Sequence, residues 1–132
     1  MKIKYIIFLI SLIILIPFFV RYLLVDLEVF QTSVNVGGYL GFTTENDDLF
    51  FGTIPPGGIA QRDLEIRNAY CNKCLVVIKT EGSNSNWIQI SDNKFKINQN
   101  ENKPVNITVT VPEGTLEGNY NGTMKIYFWK TI

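Results

Sequence analysis

Histidine is absent from all 132 residues. With it go the commonest general base, the commonest zinc ligand and every Ser-His or Cys-His nucleophile arrangement. Cysteine occurs only twice, as Cys71 and Cys74, so one chain supplies at most half of a four-ligand zinc site. Lys and Arg form no cluster and the formal net charge is zero. A nucleic-acid partner, whose phosphates demand a basic patch, is therefore not expected. No cofactor motif and no catalytic constellation is visible, and neither a cofactor nor an enzymatic activity is expected. No segment of helical period and length follows residue 25.

What the chain does have begins with an uninterrupted apolar run from Tyr5 to Val20, continuing through Arg21 to Val25. As a helix at about 1.5 Å per residue, the stretch from Tyr5 to Val25 reaches roughly 31 Å, one bilayer core. Lys2 and Lys4 precede it; the thirty residues after Val25 hold no Lys or Arg but carry Asp26, Glu28, Glu45, Asp47 and Asp48. The positive-inside rule then places the N-terminus in the cytoplasm and the remainder outside the cell membrane. Arg21 stands one turn from the exit end, where its stem can lie on apolar surface while the guanidinium reaches lipid headgroups. Pro17 falls inside the run, where a kink is tolerated if the freed carbonyl finds a partner. A cleaved secretory signal is the competing reading, but the stretch after Ile16 offers no small-residue cleavage site, which favours an uncleaved signal anchor. Neither cysteine lies near the run, so no lipobox is present. Residues 1–25 are thus expected to be a cytoplasmic tip and anchor in contact with membrane lipid, 26–36 a juxtamembrane stalk, and 37–132 a single domain.

Residues 26 to 132 hold nine Lys or Arg against twelve Asp or Glu, so this outer part is mildly acidic. In it, β-rich segments bounded by Gly, Pro, Asn and Asp recur every 8 to 12 residues, the spacing of a sandwich or barrel. Strands are expected near 34–36, 39–43, 49–53, 62–68, 75–80, 87–90, 94–97, 105–111 and 122–129. Alternation is clear where Leu64 and Ile66 oppose Glu65 and Arg67, and where Val105, Ile107, Val109 and Val111 oppose Asn106, Thr108 and Thr110, so one face is buried and the other wet. Turns follow from Pro55-Pro56-Gly57-Gly58 and Pro112-Glu113-Gly114, because proline cannot continue a ladder and glycine supplies positive φ. The expected core is Phe42, Phe51, Leu64, Ile66, Val76, Ile78, Trp87, Ile88, Phe95, Val109, Val111, Tyr120 and Ile126, with Trp87 as an anchor.

The pair Cys71-Asn72-Lys73-Cys74 lies between strand-like segments. A redox centre wants a helix N-terminus or a cation beside its first thiol. What the flanks suit better is a local disulfide pinning a hairpin, with Asn72 in the left-handed region, or a free thiol pair. Asn106-Ile107-Thr108 and Asn121-Gly122-Thr123 are N-glycosylation sequons, of which Asn121, beside a glycine turn, is the easier acceptor. Glu45-Asn46-Asp47-Asp48 lacks the ligand order of a calcium loop and reads as a solvated acidic turn. Tyr127, Phe128 and Trp129 cannot all face inward on one strand. One aromatic should therefore show on the surface as a partner or headgroup contact, unless the stalk covers it.

The succession Leu49-Phe50-Phe51-Gly52-Thr53-Ile54-Pro55-Pro56-Gly57-Gly58, then Ile66-Arg67-Asn68, Trp87-Ile88, Phe95, Val111-Pro112 and Gly118-Asn119-Tyr120-Asn121-Gly122 resembles immunoglobulin-like sandwiches related to the hydin-type and major sperm protein domains. It is most similar to the small membrane-anchored versions in archaeal surface proteins. The resemblance covers most of residues 34 to 132. It implies an all-β, immunoglobulin-like antiparallel β-sandwich of about seven to nine strands behind one transmembrane helix, and a non-catalytic interaction module. Three functions follow in decreasing order of expectation. The first is an anchored structural or protein-interaction domain of the cell envelope, with an envelope or membrane protein as partner. The second is a subunit or base component of a surface filament of the pilus or archaellum kind, and the third is an extracytoplasmic enzyme.

Overall fold

The structure, a computed structural model, describes residues 2–38 and 49–131. Helix α1 spans Lys2–Leu23 and consists almost wholly of Ile, Leu, Phe and Val, with no acidic residue in its first turn and Pro17 inside it. Because it is apolar on every side, it has no stripe to turn toward a core, and none of its side chains is buried. Eight strands follow: β1 (Leu24–Val36), β2 (Leu49–Ile54), β3 (Ile59–Arg67), β4 (Lys73–Gly82), β5 (Ile88–Ile90), β6 (Lys94–Asn98), β7 (Asn102–Thr110) and β8 (Gly118–Lys130). They form a five-stranded sheet in the order β2-β1-β8-β4-β6 and a three-stranded sheet in the order β3-β7-β5. The chain is therefore a long apolar helix followed by an all-β, immunoglobulin-like sandwich. Its pairings are antiparallel except that β1 and β2 run parallel.

From β2 onward each successive strand lies in the other sheet, so no described connection is a hairpin. Each turn instead carries the chain across the sandwich, about 10 Å between sheets. Pro55 to Gly58 makes one such crossing: Gly58 N donates to the Pro55 carbonyl at 2.8 Å, and Gly57, at φ 77°, donates to the Val111 carbonyl at 2.9 Å. The segment holding Cys71 and Cys74 is another crossing, from β3 to β4, and not the expected hairpin tip. Nor does Asn72 take the left-handed conformation; among the described non-glycine residues only Asn100 does, at φ 60°.

Residues 26–36, expected as a stalk, lie within β1. That strand pairs with β8 from Leu24 opposite Trp129 to Val36 opposite Gly118, and with β2 on its other side. Its sequence hid this because its apolar positions change phase. Leu27 and Val29 point outward and are 39% and 49% exposed, whereas Val34 and Val36 are buried. Of the expected core, Phe51, Ile66, Val76, Ile78, Phe95, Val109, Val111 and Ile126 are buried. Leu64, Trp87, Ile88 and Tyr120 are half-buried at its margin. Phe42, like the expected strand 39–43 and the acidic turn 45–48, lies outside the described residues. Trp87 does not open a strand; it ends the 3-10 turn Ser85–Trp87, and its ring packs 4.6 Å from that of Tyr120. Val34, Val36, Ile97, Val105, Ile107, Met124 and Phe128 complete the centre.

Candidate interaction face and helix junction

Since β1 continues from α1 with no residue between them, the end of the sandwich holding Leu24, Trp129 and Lys130 is the end next to the helix. The crossing from β3 to β4 closes that end. Cys71 and Cys74 are joined there as a disulfide with Cα atoms 5.9 Å apart. A loop this short removes little chain entropy, about 2 kcal/mol in the loop-closure picture. The organising residue is Asn68, which is fully buried. Its Nδ2 donates to the carbonyls of Cys71 at 2.8 Å and Ile97 at 3.3 Å, and its Oδ1 accepts from the backbone N–H of Tyr70 at 3.1 Å and of Cys71 at 3.2 Å. One amide thus satisfies both sides of the arch, and its Oδ1 also lies 3.5 Å from Cys74 Sγ. Sequence reasoning missed it, although an Asn just past a strand is a common Asx-turn residue, its side chain bonding to the backbone two residues on.

Asn68 also positions Tyr70, whose ring stands edge-on to Phe128 at 5.1 Å. The carboxylates of Asp26 and then Glu28 hold the Tyr70 proton and raise its pKa above the ordinary tyrosine range; the hydroxyl donates to Glu28 Oε1 at 2.9 Å. Asp26 has the larger influence on that proton, though the short contact is to Glu28. Beside it, Lys130 Nζ lies 5.2 Å from the centre of the Tyr22 ring on the last turn of α1. These groups border an open hollow of about 520 Å³ whose lining includes Tyr22, Tyr70, Lys73 and Lys130. At the opposite end a second buried amide, Asn84, accepts from Thr32 Oγ1 at 3.2 Å and donates to the Tyr120 carbonyl at 3.2 Å. No buried side-chain nitrogen or oxygen among the described residues lacks a partner. Nor do three or more His, Cys, Asp or Glu gather among them as a metal site would require.

The two sheets present unlike outer faces. On β3 and β7 the outward positions include Gln61, Asp63, Glu65, Arg67, Asn106 and Thr108, a largely polar surface that also carries the exposed Ile59. On the five-stranded sheet, residues directly opposite one another share a face. Its helix-proximal rows read Trp129, Leu75, Lys96 and then Leu27, Tyr127, Val77, Lys94. Phe128 between them is buried, while Tyr127 and Trp129 stack outside with ring centres 6.2 Å apart. Of the three adjacent aromatics the outer two are therefore on the surface, and β1 lies beside them in the sheet and does not cover them.

The two sequons differ in setting. Asn106 Nδ2 donates to Asp63 Oδ1 at 2.9 Å and its Oδ1 accepts from Thr108 Oγ1 at 3.1 Å, so both halves of that amide are engaged. Asn121 is exposed on β8, opposite Ser33 on β1.

No protein-family model matches the chain, and comparison with curated proteins finds no match. Among solved structures it is similar to the DraE adhesin in complex with chloramphenicol succinate, at 13% identity over 80% of this chain and 96% of that one, TM-score 0.49. It is also similar to the AfaE-3 adhesin from Escherichia coli (16% identity, 80% and 96% covered, TM-score 0.48) and to the DaaE adhesin (9%, 82% and 99%, TM-score 0.48).

Proposed function

We propose that the chain is a single-pass, membrane-anchored module of the cell envelope, with its N-terminus in the cytoplasm and its sandwich outside, acting as a non-catalytic structural or protein-interaction domain. One observation carries this reading. A 22-residue helix with an 18-residue stretch of mean hydropathy 2.7, none of it buried, runs without a linker into an interior strand of the sandwich. Its length of about 33 Å matches a bilayer core. A helix so apolar, left uncovered, needs lipid or other helices around it, and the direct join holds the sandwich at a fixed height above the surface. Lys2 and Lys4 before the helix, with no Lys or Arg in the thirty residues after Val25, set the orientation. The narrower kinship with hydin-type domains of archaeal surface proteins is supported by the turn and core residues quoted above. The envelope or membrane protein partner has the polar outer face of the three-stranded sheet available to it. Of the two sequons, Asn121 is the acceptor where glycosylation machinery is present, because Asn106 would have to give up its bond to Asp63.

A filament subunit is the second reading, favoured by the exposure of α1 on all sides, which suits a bundle of such helices as well as it suits lipid. Protease added to intact cells tests the first. The expected result is loss of the sandwich, with an anchor fragment left in membranes after alkaline extraction. Protection of the whole chain overturns the topology.

A further inference from the structure

The rows nearest the helix carry an arrangement that anchoring alone does not require. Trp129, Tyr127 and Leu75 form an apolar and aromatic outer patch, bordered on β6 by Lys96 opposite Leu75 and Lys94 opposite Val77. Farther along, Lys125 and Lys79 form the next row, and Lys79 Nζ lies 5.9 Å from the Tyr127 ring centre. Among the described strand positions of this face the one acid is Glu81, and it is paired with Lys125 at 3.1 Å. The acids closest to the helix, Asp26 and Glu28, belong to the other side of β1: they lie opposite the buried Phe128 and Ile126, and Tyr70 takes them up there. A sandwich that is mildly acidic as a whole, with nine Lys or Arg against twelve Asp or Glu in residues 26 to 132, thus presents a basic, aromatic face at its membrane end.

The depth of these rows decides what meets them. Leu24, the first residue after α1, is opposite Trp129. With the helix end at the hydrocarbon boundary, Trp129, Leu75 and Lys96 stand at the base of the headgroup layer. The Tyr127 and Lys94 row stands about 7 Å higher, two residues along a strand. A headgroup layer is itself only about 5–7 Å thick on each side. Trp and Tyr settle at that level, and lysines there are drawn to lipid phosphate and to anionic headgroups. We infer that the Trp129–Tyr127–Leu75 patch, with Lys94 and Lys96, is a second membrane contact that docks the sandwich on anionic phospholipid headgroups of the leaflet α1 leaves. This rests on the anchored reading above. The consequence is a sandwich held by helix and face together, with its helix-proximal end seated in the headgroup layer.

The test uses the full chain in nanodiscs, with Trp87→Phe leaving Trp129 as the only tryptophan. The discs are phosphatidylcholine alone or with a quarter phosphatidylglycerol, each with a headgroup spin-labelled lipid as quencher. Docking predicts several-fold stronger quenching of Trp129 in the anionic discs. It also predicts a fall to the neutral-disc level in Lys94→Glu/Lys96→Glu and, without any charge substitution, in high salt, since attraction between lysines and an anionic surface is screened. Quenching that is the same in both discs and unmoved by salt overturns the docking. So does a Trp129 shielded from the quencher by crosslinkable contact with a second copy. A chain retained in discs but showing either result leaves the anchor standing; a chain that does not co-elute with the discs defeats both readings.

Discussion

Single side chains at the two ends of the sandwich do what its small core cannot: they hold turns and sheet edges in place. Gly122 shows the tolerance involved. A Cβ there would run into Asn84 Oδ1 and lie 2.5 Å from the Glu81 carbonyl oxygen and 2.9 Å from Thr32 Oγ1. Asn84→Ala leaves the Thr32 hydroxyl and the Tyr120 carbonyl without their partner, a cost of about 1–3 kcal/mol. Gly122→Ala should cost at least as much, because it displaces that same amide and also crowds the backbone of β4. Thermal melts in detergent compare the two, and an unchanged melting temperature for Gly122→Ala would refute the close approach. Tyr70 makes a second residue-scale prediction, in pH. Its folded pKa is raised, so its neutral form is favoured in the native state, chiefly by Asp26 and then Glu28. That contribution is complete below the value near 10 of a free tyrosine and is lost as pH climbs through the higher folded value. Tyr70→Phe should therefore melt below the parent chain at neutral pH, with the gap closing above pH about 10. A gap that widened in alkali would mean that the phenol is not shared with these carboxylates.

At the scale of elements, β1 is the strand on which the sandwich and the helix both depend. It separates β2 from β8 in the five-stranded sheet and buries Val34 and Val36. Burial of those two side chains alone contributes roughly 3–6 kcal/mol, a large share of the 5–15 kcal/mol that holds a typical domain together. A chain beginning at residue 37 also leaves β2 with no partner strand among the described residues. It is expected to remain unfolded, and one beginning at residue 24 to fold, as read by far-UV circular dichroism and amide dispersion in NMR spectra. Cooperative unfolding of the shorter chain would return residues 26–36 to the status of a stalk.

At the scale of the whole molecule, the sheet edges bear on whether copies associate. The edge strands β2, β5 and β6 are short, at 6, 3 and 5 residues, and β6 carries Lys94 and Lys96. The longer edge β3 carries Arg62, Asp63, Glu65 and Arg67 toward its C-terminal end. Short or charged edges resist pairing with another chain. Sedimentation in mild detergent is therefore expected to give a monomer. A stable assembly that survives detergent would shift the balance to the filament reading, with α1 as its core.

The sequence by itself determined what is local. The apolar run reads as one helix, and eight of the nine expected strands overlap observed ones because alternation under a one-sided core is written along each strand. The crossing turns at Pro55 to Gly58 and Pro112 to Gly114 are legible for the same reason, since proline and glycine act on their own backbone. Only the tertiary structure decided what depends on neighbours distant in the chain. It made β1 a strand although its apolar phase shifts between Val29 and Val34, because β8 pairs with it throughout, placing Leu27 and Val29 beside Tyr127 and Lys125 on the outer face while Val34 and Val36 turn into the core. It turned the Cys71–Cys74 segment from a hairpin into a crossing pinned by Asn68, because strand pairing is set by which partners complete the two sheets and not by adjacency in sequence. It also gathered Trp129, Leu75 and Lys96, from three strands, into one row beside the helix. Pairing of strands far apart in sequence, invisible in any single window of residues, is the physical reason that face emerges only on folding.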